Sequence, residues 1–184
     1  MSEEHVVMQS SPTLAGIKTG SLFPVQVEER DEFMTQIRMI NACLVPKGAC
    51  LLPLRFSENR ALLYLYRPVL LDRDLKDTLA RRILSEKNYP VESTCGCIRE
   101  LARRLKEDGD FPHEVGLFLG YPSEDVDGFI RNCARCAKYV GTWKVYGDME
   151  KAKKKFRQYK KCTRLYYERF QQHNSLEKLV VALI

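Results

Sequence analysis

The sequence predicts an α+β fold, a single domain over residues 11–184 with a small, mainly antiparallel sheet covered by helices. Three observations carry that expectation. Two apolar runs, "CLLPLRF" and "ALLYLYR", flank the polar "SENR" and read as a hairpin over residues 50–67. Stretches with apolar residues at helical spacing outnumber such runs. The chain's 184 residues, 45% hydrophobic and 29% charged, suffice for a core without disulfides or metal.

Taken in order, residues 1–10 read as a flexible lead, and "SPTLAGIKTGSLF" as a helical turn and an irregular connection, because Pro12, Gly16 and Gly20 interrupt it. From Asp31, which can cap a helix, Phe33, Ile37, Ile40 and Leu44 keep helical spacing until Pro46 and Gly48 end it. In the hairpin, Pro53 cannot donate to a ladder, so the first strand belongs at an edge; Pro68 stops the second. A helix follows from Asp72, with Leu75, Leu79 and Ile83 on one face. Another carries Ile98, Leu101, Ala102 and Leu105, and Gly109 stops it. "FPHEVGLFLGYPSEDVDGFI" gives a short helix entered through Pro112, then one from Pro122 with Val126, Phe129, Ile130 and Cys133 on its core side. "GTWKVYGD" reads as a strand over 142–146. Asp148 caps a long helix to His173, amphipathic through Ala152, Phe156, Tyr159, Thr163, Tyr166 and Phe170. The tail "SLEKLVVALI" fits a helical spacing, yet its β-branched residues favour a last strand over 178–183 joining the hairpin.

Composition excludes several classes. No apolar run approaches the roughly 20 residues of a membrane span, and "MSEEHVVMQS" is not an export signal, which points to a cytoplasmic protein and no membrane partner. The net charge of +6 is concentrated: "KAKKKFRQYKKCTR", residues 151–164, holds eight basic residues and no acidic one, leaving 22 basic against 24 acidic elsewhere. No phosphate loop, nucleophile elbow or paired-histidine motif is present, so no enzyme activity is assigned. His113-Glu114 lacks the second histidine of a zinc-peptidase helix, since Leu117 stands four residues on. Helix entry explains the pair: Glu114 falls in a first turn, where the dipole favours a carboxylate.

Two constellations remain. Cys95, Cys97, Cys133 and Cys136 would supply four thiolates to zinc or to an iron–sulfur cluster, or a redox pair at Cys133 and Cys136. Ordinary reduced cysteines in a reducing compartment are the plainer account of them. The second is the basic helix with its neighbouring aromatics: Tyr121, Trp143 and Tyr146 for contact area, Arg157, Lys160 and Arg164 to orient an anionic group. An acidic protein or anionic ligand suits that surface. Nucleic acid suits its charge, without a recognition motif to support it; the plain alternative is a solvated helix face.

The stretches "FPHEVGLFLGYPSEDVDGFI" and "GTWKVYGDMEKAKKKFRQYKKC", with "SPTLAGIKTGSLF" and "ALLYLYRP", resemble the bacterial domain-of-unknown-function family 3793 over most of the chain. The resemblance implies a single-domain bacterial protein with no assigned activity, cofactor or catalytic residue. The two cysteine pairs lie outside that family's pattern. The expectation is a partner- or ligand-binding module built on the basic helix and adjacent aromatics, with a thiol-based metal or redox protein as the alternative.

Overall fold

A computed structural model describes residues 1–107 and 110–183, and its architecture is α+β. The chain forms two compact units, Met1–Leu70 with Tyr159–Ile184, and Leu71–Gln158.

The first unit is built on an antiparallel sheet in the order β1–β3–β2, with β1 Gly20–Gln26, β2 Cys50–Ser57 and β3 Arg60–Tyr66. The expected hairpin is present and tighter than expected. Ser57 pairs with Arg60, so only Glu58 and Asn59 form the turn. Pro53 lies on an edge strand, and the register shifts between Pro53 and Arg55, where a ladder missing one donor is easily broken. The third strand is a correction. β1 comes from a stretch read as irregular, and it pairs from Gly20 with Tyr66 to Gln26 with Arg60. Phe23 and Val25 alternate inward, at 1% and 6% exposure. Pro24 is tolerated because β1 is the other edge.

Residues expected as a flexible lead instead belong to α1, Glu3–Leu14, capped by the Ser2 hydroxyl accepting from His5 N. Val6, Val7 and Leu14 are wholly buried. Ser10 and Ser11, also buried, donate to the carbonyls of Val6 and Val7, so their hydroxyls are satisfied within the helix. α2, Arg30–Leu44, buries Phe33, Ile37, Ile40 and Leu44 as expected, but Glu29 caps it rather than Asp31, accepting from Asp31 N and Glu32 N.

The tail is also a correction: residues 178–183 add no strand. They run without regular structure, Val181 N donating to Leu14 O and Leu183 N to Lys47 O, both at 3.1 Å. Gly48, at φ +72°, leaves the space that Leu183 O occupies and a Cβ would fill. The same two carbonyls accept from the fully buried Arg67 guanidinium, which also bonds Thr13 O at 2.8 Å. Arg67 thus neutralises the C-terminal end of α1.

In the second unit the helix expected from Asp72 is two: α3, Pro68–Leu75, which begins in the first unit, and α4, Thr78–Glu86. Asp77, accepting from Ala80 N at 3.0 Å, is the cap that restarts the chain. Asp72 caps nothing; it bonds Lys76 and the Thr94 hydroxyl. Ser93 caps α5, Thr94–Arg104. The stop expected at Gly109 lies outside the described residues. α6, Val115–Phe118, and α7, Ser123–Arg131, follow. Cys133 does not continue the buried face of α7: the helix ends at Arg131 and the backbone turns left-handed at Cys133 and Ala134, exposing the thiol. The strand expected over 142–146 is only β5, Lys144–Val145. It pairs with β4, Tyr139–Val140, in a separate two-stranded sheet, so it does not extend the hairpin. α8, Met149–His173, starts after Asp148 caps Lys151 N and runs through both units.

Candidate functional site

The second unit holds a cavity of about 460 Å³ walled by Phe111, His113, Tyr121, Phe129 and Trp143, with Val115, Val126 and Val140 between them and Lys144 as its cation. Its construction starts at Asp125, in the first turn of α7. That carboxylate is 3% exposed and accepts three N–H groups at 2.7 Å: Trp143 Nε1 on one oxygen, Tyr146 N and Gly147 N on the other. One side chain therefore orients the indole and fixes the chain that leaves β5. Tyr121 stacks on Trp143, centroids 4.8 Å apart, and Phe156 of α8 meets the indole edge-on at 4.4 Å. Burial raises the pKa of the Tyr121 hydroxyl, which keeps it protonated.

The far wall is His113 edge-on to Phe129 at 4.9 Å. Lys144 Nζ lies 5.7 Å from the Phe129 ring centroid and donates to Ala134 O at 2.8 Å. Phe111, half exposed, stands at the mouth. Lys153 of α8 lies over Tyr139, whose ring stacks on Phe156.

The residues expected to act together are distributed. Tyr121 and Trp143 meet in the cavity. Tyr146 does not line it, because its ring lies on α7 where Gly128 carries no Cβ to collide with it. Arg157 is exposed on α8 in the second unit and lines no part of the cavity. Lys160 and Arg164 are exposed on the part of α8 that belongs to the first unit.

His113 and Glu114 diverge. Glu114 is 1% exposed, accepts from the Tyr89 hydroxyl at 3.0 Å, and faces Lys87 Nζ at 3.4 Å and Arg104 at 3.7 Å. It stands at the start of α6 without a capping bond, because two cations and a phenol draw it inward. Burial and the Glu114 carboxylate raise the Tyr89 pKa, so the phenol remains a donor.

The cysteines do not assemble. Among the described residues no three His, Cys, Asp or Glu side chains gather as metal ligands. Cys97 is buried with Sγ donating to Pro90 O, while Cys95, Cys133 and Cys136 are exposed. A larger recess in the first unit, about 630 Å³, is lined by Glu28, Glu29, Glu32, His5 and Arg60. Its acidic wall has a structural use, since Glu29 caps α2. The aromatic cavity is the better candidate.

What sequence reasoning missed was Asp125, Phe129 and Lys144. Trp143 was the available signal: a buried indole N–H needs an acceptor, and an acidic first turn 18 residues earlier supplies one. No helix of the described residues is long and apolar enough to cross a membrane. A family model described as protein of unknown function (DUF3793) matches residues 6–180. No curated protein and no solved structure matches.

Proposed function

The chain belongs to the DUF3793 family of proteins of unknown function, and from that premise we propose that it is a bacterial, cytoplasmic ligand-binding module. Its ligand is a small planar aromatic molecule bearing one anionic group. The observation that carries the reading is the aromatic cavity itself. Rings on opposite walls offer faces and edges to a flat apolar body, and their positions are set before any ligand arrives. Asp125 is fully engaged with N–H groups, so it presents little free charge to a ligand. Lys144 has donors left after its bond to Ala134 O, which selects an anion at one end. The basic helix backs the site through Phe156 and adds Lys153 beside Tyr139.

Trp143 is the single tryptophan, so its emission reports on this wall alone. The test titrates the protein with 8-anilinonaphthalene-1-sulfonate and with N-phenyl-1-naphthylamine, the same body without the sulfonate. Both should quench Trp143 at one site per chain, and Tyr121→Ala should weaken both. Lys144→Met should weaken only the sulfonate, by about tenfold, the worth of one charge-assisted contact. Quenching that survives Tyr121→Ala unchanged, or no quenching by either probe, sinks the proposal.

A further inference from the structure

We propose that the exposed cationic face of α8 binds the phosphate backbone of duplex nucleic acid without reading its sequence. Residues 151–164 carry eight basic side chains and no acidic one, whereas the remainder of the chain is net −2. At about 100° per residue, Lys153, Lys154, Arg157, Lys160, Lys161 and Arg164 fall within an arc of roughly 120° and span about 16 Å of helix. The buried side chains Ala152, Tyr159 and Phe170 occupy a different side. Glu150 on Lys153 and Glu168 on Arg164 close the two ends of the stripe. Between them Lys154, Arg157, Lys160 and Lys161 are exposed, with no ion pair among the described residues.

The composition of the face selects its occupant. Protein interfaces deplete lysine and place an apolar or aromatic centre inside a polar rim, and this stripe is two-thirds lysine with no such centre. An amphipathic helix lying in a bilayer surface must offer its apolar side to lipid, and on α8 the apolar side chains Ala152, Tyr159 and Phe170 are buried within the fold. Hydrated point charges without an apolar anchor suit phosphates, where each contact releases a condensed counterion. A helix about 10–12 Å across also matches a major groove about 12 Å wide, so cations at both edges of a broad arc can reach its two rims. Base readout calls for Asn, Gln or forked Arg directed at base edges. The face has no Asn or Gln, and two Arg spaced two helical turns apart.

None of the six residues lines the aromatic cavity, so the two readings fail separately. The experiment follows anisotropy of a fluorescein-labelled, mixed-sequence 20-base-pair duplex with the full chain between 25 and 200 mM KCl. Four uncommitted cations predict a slope of log K against log salt of about −4. Lys160→Glu with Lys161→Glu should lower affinity at least about 30-fold and leave the melting temperature unchanged. Arg38→Glu with Arg55→Glu, the same charge change at exposed sites elsewhere, should change it only a few-fold. The proposal is overturned by no binding at 25 mM, by a salt slope near zero, or by equal losses in the two double variants. It is also overturned if anionic vesicles or an acidic protein bind the stripe while the duplex does not.

Discussion

Lys18 is almost enclosed: it is 9% exposed, donates to Gly20 O, and burial lowers its pKa to about 7. The sign of the consequence is fixed by linkage. Between pH 7 and the ordinary lysine value the unfolded chain holds a proton that the folded chain lacks, so stability rises with pH across that window. Below pH 7 both states are charged and the full cost of burying the ammonium falls on the folded one. In urea titrations, stability relative to Lys18→Met should therefore climb by about 1 kcal/mol per pH unit from pH 7.5 to 9.5. Parallel pH profiles for the two proteins would refute a buried ammonium. Asp125 and Glu114 are the other residues whose burial decides local structure. Sequence placed Glu114 at a helix start and explained it by the dipole, which was true of position and silent on partners. Trp143, Tyr146 and Gly147 lie 18–22 residues from Asp125, and Tyr89 lies 25 from Glu114. Spacing patterns reach about two helical turns, so these pairings were not legible from spacing, and only the need of the Trp143 indole for an acceptor hinted at Asp125.

At the scale of elements, patterns that depend on neighbours in sequence were readable and those that depend on distant neighbours were not. The hairpin, α2 and α8 each carry their period and their bounds, and α5 carries its period. β1 carries the alternation of Phe23 and Val25 but is broken by Pro24, and only pairing with β3 makes that pattern a strand. α1 was hidden because Ser10 and Ser11 stand where an amphipathic helix shows apolar residues, and only the structure shows their hydroxyls satisfied internally. The tail illustrates the converse: β-branched residues do not make a strand when their amides are taken elsewhere, here by Leu14 O and Lys47 O. Its anchoring yields a prediction. Leu14 O and Lys47 O each accept from both Arg67 and a tail amide, so either donor covers for loss of the other. Arg67→Met should cost about 3 kcal/mol through its three carbonyl acceptors. Truncation after Val180 should cost less alone, and the two together should exceed their sum by about 1 kcal/mol, since buried carbonyls are then left unpaired. Strict additivity in urea unfolding would show that the carbonyls are not shared.

For the whole molecule, apolar patterning located the α+β class and the distribution of charge its segregation, yet neither could say which thiols meet solvent. Seven free cysteines divide into two groups by burial alone. Cys95, Cys133 and Cys136 are exposed. Cys97 is buried, and Cys43, Cys50 and Cys162 are partly buried. Burial raises the pKa of Cys50 and Cys97 and takes Cys162 to about 11, so these thiols are shielded from reagents and hold little thiolate near neutrality. The exposed three include two that sit on left-handed backbone, Cys133 and Cys136, and Cys133 was read from sequence as part of a buried helix face. A brief pulse of N-ethylmaleimide at pH 7.5 should therefore add three labels to the native chain and seven to the chain in guanidinium. Peptide mapping should place the native labels on Cys95, Cys133 and Cys136. A native count of one or none would mean that the exposed thiols are bonded to each other or held by a metal, reopening the thiol reading. A count above four would mean that the fold around Cys97 and Cys162 opens on the timescale of the pulse.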